Sequence, residues 1–347
     1  MLVAHADGEL YRRASEGPDL IPLAPRNEVD LSAAWKLSRI IRQWRPEVVH
    51  AHDPHAVAMA GLALSFGAPD PRPRIVASRR VDFHLQAHSF SRWKYRQVDL
   101  FIAASKAIKD ILVGDGIAAS QIVVVHDGID VGKIGRLPGV DIHGEFWLPR
   151  GAPVVVNVGA LVDHKGQKYL VAAMPHVLKA VPDAFLIIFG EGELRGALEK
   201  QIKQLGLEKQ VRLAGFREDV LQVVKSADLF VMSSVTEGLG STVLDAMAMR
   251  LAVVGTRAGG IPEAVVHNET GVLVPAADPQ ALATAMIGLL KSPKRRHEMG
   301  ERGLARVTEH FGVARFLDET LRAYRLAVDR KESTAALNSS AQPSGRA

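Results

Sequence analysis

Two doubly wound parallel-sheet α/β domains, facing each other across a cleft, are predicted by three observations. Short apolar runs alternate with segments of helical periodicity almost throughout the chain. A glycine- and proline-rich stretch, residues 126–152, interrupts that alternation and divides an earlier set from a later one. The chain has 347 residues, room for two cores at about 150 residues per domain.

In the earlier set, strands are expected at Leu20–Leu23, Glu47–His50, Arg74–Ala77, Asp99–Ala103 and Gln121–Val125. Leu31–Arg45 reads as a helix whose apolar face is Leu31, Ala34, Trp35, Leu37, Ile40, Ile41 and Trp44, stopped by Pro46. The chain opens with MLVAHADGELYRRASEG, which reads as a second strand and its helix. The first domain is therefore expected to lack its first strand, through a start called late or a truncated gene; a shorter domain is the alternative. The later set predicts strands at Pro153–Val158, Ala184–Phe189, Val211–Ala214, Leu229–Met232, Ala252–Gly255 and Gly271–Val274. This gives an expected first domain at 1–135 and a second at 136–310. A helix over 311–330 is expected to cross back to the first domain. The polar segment 331–347 reads as a disordered tail.

Composition narrows the function. Apolar residues make up 47% and charged residues 23%, as in ordinary soluble proteins. The absence of cysteine excludes disulfide scaffolds, zinc–thiolate sites, iron–sulfur clusters and thiol nucleophiles, and fits a cytoplasmic location. The net charge of +5 is mild, so no nucleic-acid partner is expected. The densest basic window, Arg79 to Arg96, reads as a solvated face or as a surface for an acidic membrane; its Trp93 and Tyr95 serve membrane contact or core packing equally well. No apolar run reaches the ~18 residues of a membrane span. Asp7 and Glu9 argue against a signal peptide.

Four glycine-bearing turns carry the chemistry. Thr236-Glu237-Gly238-Leu239-Gly240-Ser241-Thr242 leaves the strand ending at Met232 and enters a helix expected over Thr242–Met249. Amides at that helix start form a cradle for a phosphate or diphosphate, with Gly238, Leu239, Gly240 and Thr242 as its backbone. Glu237 lies before the glycines and Asp245 eight residues on, so the two carboxylates can grip different parts of one ligand. Gly159 allows close backbone approach, and Lys165 adds an ammonium at the same strand end. Phe189-Gly190-Glu191-Gly192 and Ala258-Gly259-Gly260-Ile261-Pro262-Glu263 repeat the strand–turn–helix pattern. One such turn is weak; four in order on one rim point to a nucleotide-type ligand.

The order G-x-L-x-x-x-K-G, G-E-G, E-G-x-G-x-x-x-x-D-A-M-A, G-G-I-P-E and T-G-x-L-V resembles the glycosyltransferase group 1 (family 4) enzymes. The resemblance spans residues 20–325, is densest from Val154 to Pro275, and includes Val48-Val49-His50-Ala51-His52-Asp53. It implies the GT-B architecture of two Rossmann-like domains and retaining, metal-independent transfer from a nucleotide diphosphate sugar to a glycan or glycolipid acceptor, with no cofactor. It implies that Glu237 contacts the donor sugar, that Asp245 holds the ribose, and that Glu191, Phe216 and Arg217 line the base pocket. Lys165 would stabilise the leaving diphosphate. The absence of a D-x-D pair agrees with metal independence. His52 is expected beside the reacting groups, and Arg80 is expected where relatives carry a cleft histidine. Arg79, Asp82 and His84 are expected on the acceptor. His52 and His55 form a loose pair without a third ligand, so no metal is expected.

This chain departs from the family at Ala160, where most relatives carry an arginine on the diphosphate; Arg80 or Arg79 is the expected substitute. Asp245 replaces the commoner glutamate. The expected pathway is cell-envelope or lipopolysaccharide glycan synthesis, on the inner face of the membrane. The alternatives are a non-catalytic or truncated nucleotide-sugar binder and a sugar-nucleotide epimerase. A nicotinamide dehydrogenase is disfavoured, because the first domain lacks G-x-G-x-x-G.

Overall fold

The computed structural model describes residues 1–339 apart from Ser15, Pro18 and Ala87, with side chains to Asp329. It is built of two parallel-sheet α/β domains. The second is the more regular. Strands β7 (Val154–Val158), β8 (Phe185–Phe189), β9 (Val211–Gly215), β10 (Leu229–Met232), β11 (Val253–Thr256) and β12 (Gly271–Val274) form one sheet in the order β12-β11-β10-β7-β8-β9. Every pairing is parallel. Val155, Val156, Leu186, Ile187, Phe230 and Val231 are fully buried, because helices cover both faces. The strand order reverses between β7 and β10, and ligands of such sheets bind in the crevice beyond the strand ends at that point.

The first domain holds β1 (Leu2–Ala4), β2 (Leu20–Pro22), β3 (Val48–Ala51), β4 (Arg74–Arg79), β5 (Leu100–Ala103) and β6 (Ile122–Val124). β3 to β6 make a four-stranded parallel sheet, whereas β1 and β2 form a separate two-stranded parallel sheet. Among the described residues no strand joins β1 to β3, and Val48, Val49 and His50 are only half-buried. Helix Leu31–Trp44 forms where expected, started by Asp30, which accepts from the Ser32 and Ala33 amides. Its buried face is narrower than the sequence suggested. Ala33, Ala34, Leu37 and Ile41 go inward, but Leu31, Trp35 and Trp44 are exposed.

Residues 126–152 are not a bare loop. They hold helices Val131–Arg136 and Ile142–Glu145, whose Ile134 and Ile142 enter the second domain's core. The chain therefore changes domain near His126–Ile129, slightly before the expected boundary. It returns beside that point, where Ile129 bonds Phe311 and Val313 through the backbone. Helix Val313–Ser339 then lies on the first domain's sheet, with Ala323 and Ala327 against Val76, Leu100 and Ile102. It continues past Lys331, where a disordered tail was expected to start; residues 340–347 of that segment lie outside the described residues.

Candidate active site

The four glycine turns gather beyond the ends of β7, β8, β10 and β11. Their nesting requires glycine. A Cβ on Gly190 (φ +133°) would meet the Gly159 carbonyl oxygen at 2.0 Å. One on Gly259 (φ +48°) would meet the Glu237 carbonyl oxygen at 1.7 Å. Any side chain there would push the turns apart. Gly240, in the left-handed region at φ 86°, precedes helix Ser241–Ala248, one residue earlier than expected.

Glu237 and Lys165 meet although 72 residues separate them, because β7 and β10 are neighbours. Lys165 Nζ lies 2.7 Å from Glu237 Oε2, and both side chains are largely shielded from solvent. Ser234 Oγ donates to the same oxygen at 3.0 Å, and Thr256 Oγ1 donates to the Ser234 carbonyl at 2.6 Å. These two buried hydroxyls fix the carboxylate, yet nothing in the sequence distinguished them from other strand-end hydroxyls. Asp245 projects from helix Ser241–Ala248. Burial pushes its carboxyl up to about 6. No charged partner offsets that burial among the described residues.

Beside Gly159 and Ala160 a cavity of about 350 Å³ opens between the β7, β8 and β9 strand ends. Val158, Phe189 and Val220 give it apolar walls, and Glu191 and Phe216 stand at its rim. Phe216 is 73% exposed, an apolar ring without cover. Arg217 also lines the cavity, but its guanidinium is held by Asp219 and Glu145. Glu191 is held by Arg195 at 2.9 Å. Gln167 Nε2 donates to the Ala160 carbonyl and braces the turn that lacks an arginine.

The expected acceptor residues divide into two groups. Arg80 and His52 stand at the strand ends of the first domain. Arg80 pairs with Asp127 at 3.1 Å and lies over the Phe316 ring, so its charge is shared on its own side of the cleft. The His52 and His50 rings lie tilted against each other with centroids 4.0 Å apart. Burial, with the nearby Arg80 charge, holds the His52 pKa below the usual range. His50 lies 2.6 Å from the Tyr324 hydroxyl and 2.8 Å from Ser78 Oγ. Burial and its charged neighbours push His50 down to about 3, so it is a neutral hydrogen-bonding group. Asp82 keeps one buried carboxylate oxygen unpartnered among the described residues. The other two are occupied within the first domain: His84 Nδ1 bonds Asp115 at 2.7 Å, and Arg79 donates to the Phe83 carbonyl. Phe83, which the sequence did not single out, reaches across to His164 with ring centroids 5.6 Å apart. Among the described residues no three His, Asp or Glu side chains converge as a metal site.

Residues 142–306 match the family model described as Glycosyl transferases group 1, and residues 1–133 match Glycosyltransferase Family 4. A glycogen synthase of Mycobacterium tuberculosis is 29% identical over 306 residues, covering 84% of this chain and 71% of that protein. The lipopolysaccharide core biosynthesis glycosyltransferase LpsE of Rhizobium meliloti is 33% identical over 169 residues, 49% of this chain and 48% of that protein. Among solved structures, a glycosyltransferase from Rickettsia africae superposes with a TM-score of 0.80 at 19% identity, covering 93% of this chain and 89% of that one. Anabaena Alr3699/HepE in complex with UDP superposes with 0.78 at 21% identity, covering 92% and 91%. At these identities the structures speak for the fold.

Proposed function

The chain belongs to the group 1 glycosyltransferases, and from that premise we propose that it moves a sugar from a nucleotide diphosphate sugar to a glycan or glycolipid hydroxyl, with retention and without a metal. The observation that carries this reading is the placement of the Lys165–Glu237 pair at the β7–β10 reversal and of the apolar cavity next to it, beyond the β7, β8 and β9 ends of the same sheet. The base would enter the cavity against Phe216. The ribose hydroxyls would donate to Asp245. The diphosphate would lie between Lys165 and the amides at the start of helix Ser241–Ala248, which supply positive potential as the glycosidic bond breaks. Glu237 would accept from the sugar hydroxyls. The acceptor hydroxyl would attack from the face the diphosphate leaves, its proton passing to a departing phosphate oxygen.

Since lysine and helix amides carry the leaving-group charge, transfer is expected to stay within about twofold after exhaustive treatment with EDTA, assayed with and without added Mg²⁺. A second reading, a nucleotide-sugar binder without transfer, is favoured by Ala160 alone. It would show donor binding with neither transfer nor donor hydrolysis.

A role in envelope glycan synthesis would bring the enzyme to the cytoplasmic face of a membrane. The expected basic window is partly internal: Lys94 is 4% exposed and bonds both Glu28 oxygens at 2.9 Å. Helix Leu31–Trp44 offers a better surface. Leu31, Trp35, Lys36, Arg39 and Arg42 are exposed, Arg39 lies over the Trp35 ring, and the helix holds no acid. No described helix is long and apolar enough to cross a membrane. The protein is expected to sediment with phosphatidylglycerol vesicles and not with phosphatidylcholine vesicles. The double variant R39E/R42E should weaken that binding by roughly tenfold or more. Equal binding to both vesicles would remove this part of the proposal.

A further inference from the structure

Glu263 belongs to the second domain, in the short helix Ile261–Ala264, but its carboxylate is bonded to the first. Oε2 accepts from the Lys106 amide at 2.9 Å and Oε1 from the Ala107 amide at 3.1 Å. His126 Nε2 stands 2.8 Å from Oε2. The two amides open helix Lys106–Gly114, where no carbonyl of the helix can reach them. That helix does not need Glu263 to form. Its own Ser105 caps it, accepting from the Ile108 amide at 3.2 Å. Burial raises the Glu263 pKa, but the bonds from His126 and the two amides outweigh it and hold the carboxyl below the ordinary range.

The backbone that presents Glu263 is itself anchored. Arg306 donates to the Glu263 and Ala264 carbonyls at 2.7 Å. One turn earlier, the Gly260 amide donates to the Glu237 carbonyl at 3.1 Å. Gly260 also abuts the acceptor side, where a Cβ would meet Ser105 Cβ at 2.9 Å. The neighbouring Gly238 abuts the first domain directly: a Cβ there would meet the Arg80 carbonyl oxygen at 2.3 Å. Glu263 thus lies in a ring of contacts that leaves the first domain at Lys106, passes through Gly260 and Glu237–Gly238, and re-enters it at Arg80.

We propose that Glu263 is a positioning residue for transfer, holding the two domains at the spacing that sets the Glu237–Gly238 turn against the acceptor side at Arg80. The proposal rests on the transferase reading above. It separates donor binding, which uses the second domain alone, from the chemical step, which needs both halves aligned.

Two variants break the contact from opposite sides. E263A removes the carboxylate. K106P removes one amide hydrogen at the first helical position, where proline is tolerated and where Ser105 already has the extended backbone that precedes proline. K106A keeps the amide and serves as its control. E263A and K106P are expected to lower kcat by about 10- to 100-fold. Donor Kd should stay within about twofold, and the radius of gyration of the donor-bound protein in X-ray scattering should rise. K106A should behave as the parent, and E263Q, which retains one acceptor oxygen, should recover part of the rate. Unchanged kcat and radius in E263A and K106P would overturn the proposal. So would a loss of donor binding in step with kcat, because Glu263 would then be shaping the donor turn. Failure of the transferase reading is a different result, an unmodified protein that binds no donor, and the same scattering comparison made on the ligand-free proteins then decides on the domain spacing by itself.

Discussion

Replacing Asp245 by asparagine is expected to make the empty protein more stable at pH 7.5 and its donor complex weaker. Burial raises this carboxyl from 3.8 to about 6, with no charged partner among the described residues to offset it. At pH 7.5 the group is ionised in both folded and unfolded states, and the folded state holds the charge at a cost. The shift corresponds to about 3 kcal/mol as an upper figure. The sign follows from proton counts. Between 3.8 and about 6 the folded chain binds more protons than the unfolded one, so this residue's penalty is relieved as pH falls through 6 and is gone below 3.8. Asparagine removes the charge but remains a buried polar group, so the expected gain is about 1–2 kcal/mol, a melting temperature several degrees higher. The same substitution takes away the charge and one of the two acceptor oxygens proposed for the ribose hydroxyls, and donor affinity should fall by roughly 10- to 100-fold. In the unmodified protein, donor affinity should fall below about pH 6 and binding should release protons near that pH, measurable by calorimetry in buffers of different ionisation enthalpy. A lower melting temperature for D245N at pH 7.5, with donor affinity unchanged, would show that Asp245 serves the fold instead.

The second large effect concerns the Lys165–Glu237 pair, whose members should respond differently to loss of charge. K165A removes the cation proposed for the leaving diphosphate and leaves the Glu237 carboxylate, whose side chain is 11% exposed, with the Ser234 hydroxyl as its remaining side-chain partner among the described residues. Transfer should fall by about 10²- to 10³-fold, the nucleoside diphosphate should bind more weakly, and stability should drop by about 1–3 kcal/mol, since the lysine end of the pair is partly solvated. E237Q removes the negative charge that now neutralises Lys165. Nucleoside diphosphate should then bind as well or more tightly, while transfer falls by a similar factor. Parallel losses of nucleotide binding in both variants would mean that the pair acts only as a brace between two turns.

The candidate site was legible to the extent that the chemistry proposed for it is carried by backbone. Glycine-bearing turns at strand ends are a local pattern, and the sheet order then brings Lys165 to Glu237. What escaped the sequence depends on where long side chains end. Arg217, expected to line the base pocket, does line the cavity, but its guanidinium is tied to Glu145 and Asp219. Arg80 is shared with Asp127, and His84 turns to Asp115. Glu263 was visible in its motif but not in its role, because two of its three partners are amide hydrogens of the other domain, which no residue type announces. In the fold, helix Leu31–Trp44 was placed correctly and its apolar face drawn too wide. Successive residues turn by about 100°, so Trp35 lies well away from the arc of Ala34, Leu37 and Ile41. The separate β1–β2 pair was equally invisible, since pairing partners are set by tertiary arrangement.

Binding of nucleoside diphosphate sugars to the intact chain is the measurement that bears on all of this. Purified protein and K165A would be screened by thermal shift against UDP-, GDP- and ADP-sugars. One base should stabilise the unmodified protein selectively, and K165A should lose most of that shift. A chain that is folded by circular dichroism and is stabilised by none of these donors would contradict the proposed site at the β7–β10 reversal.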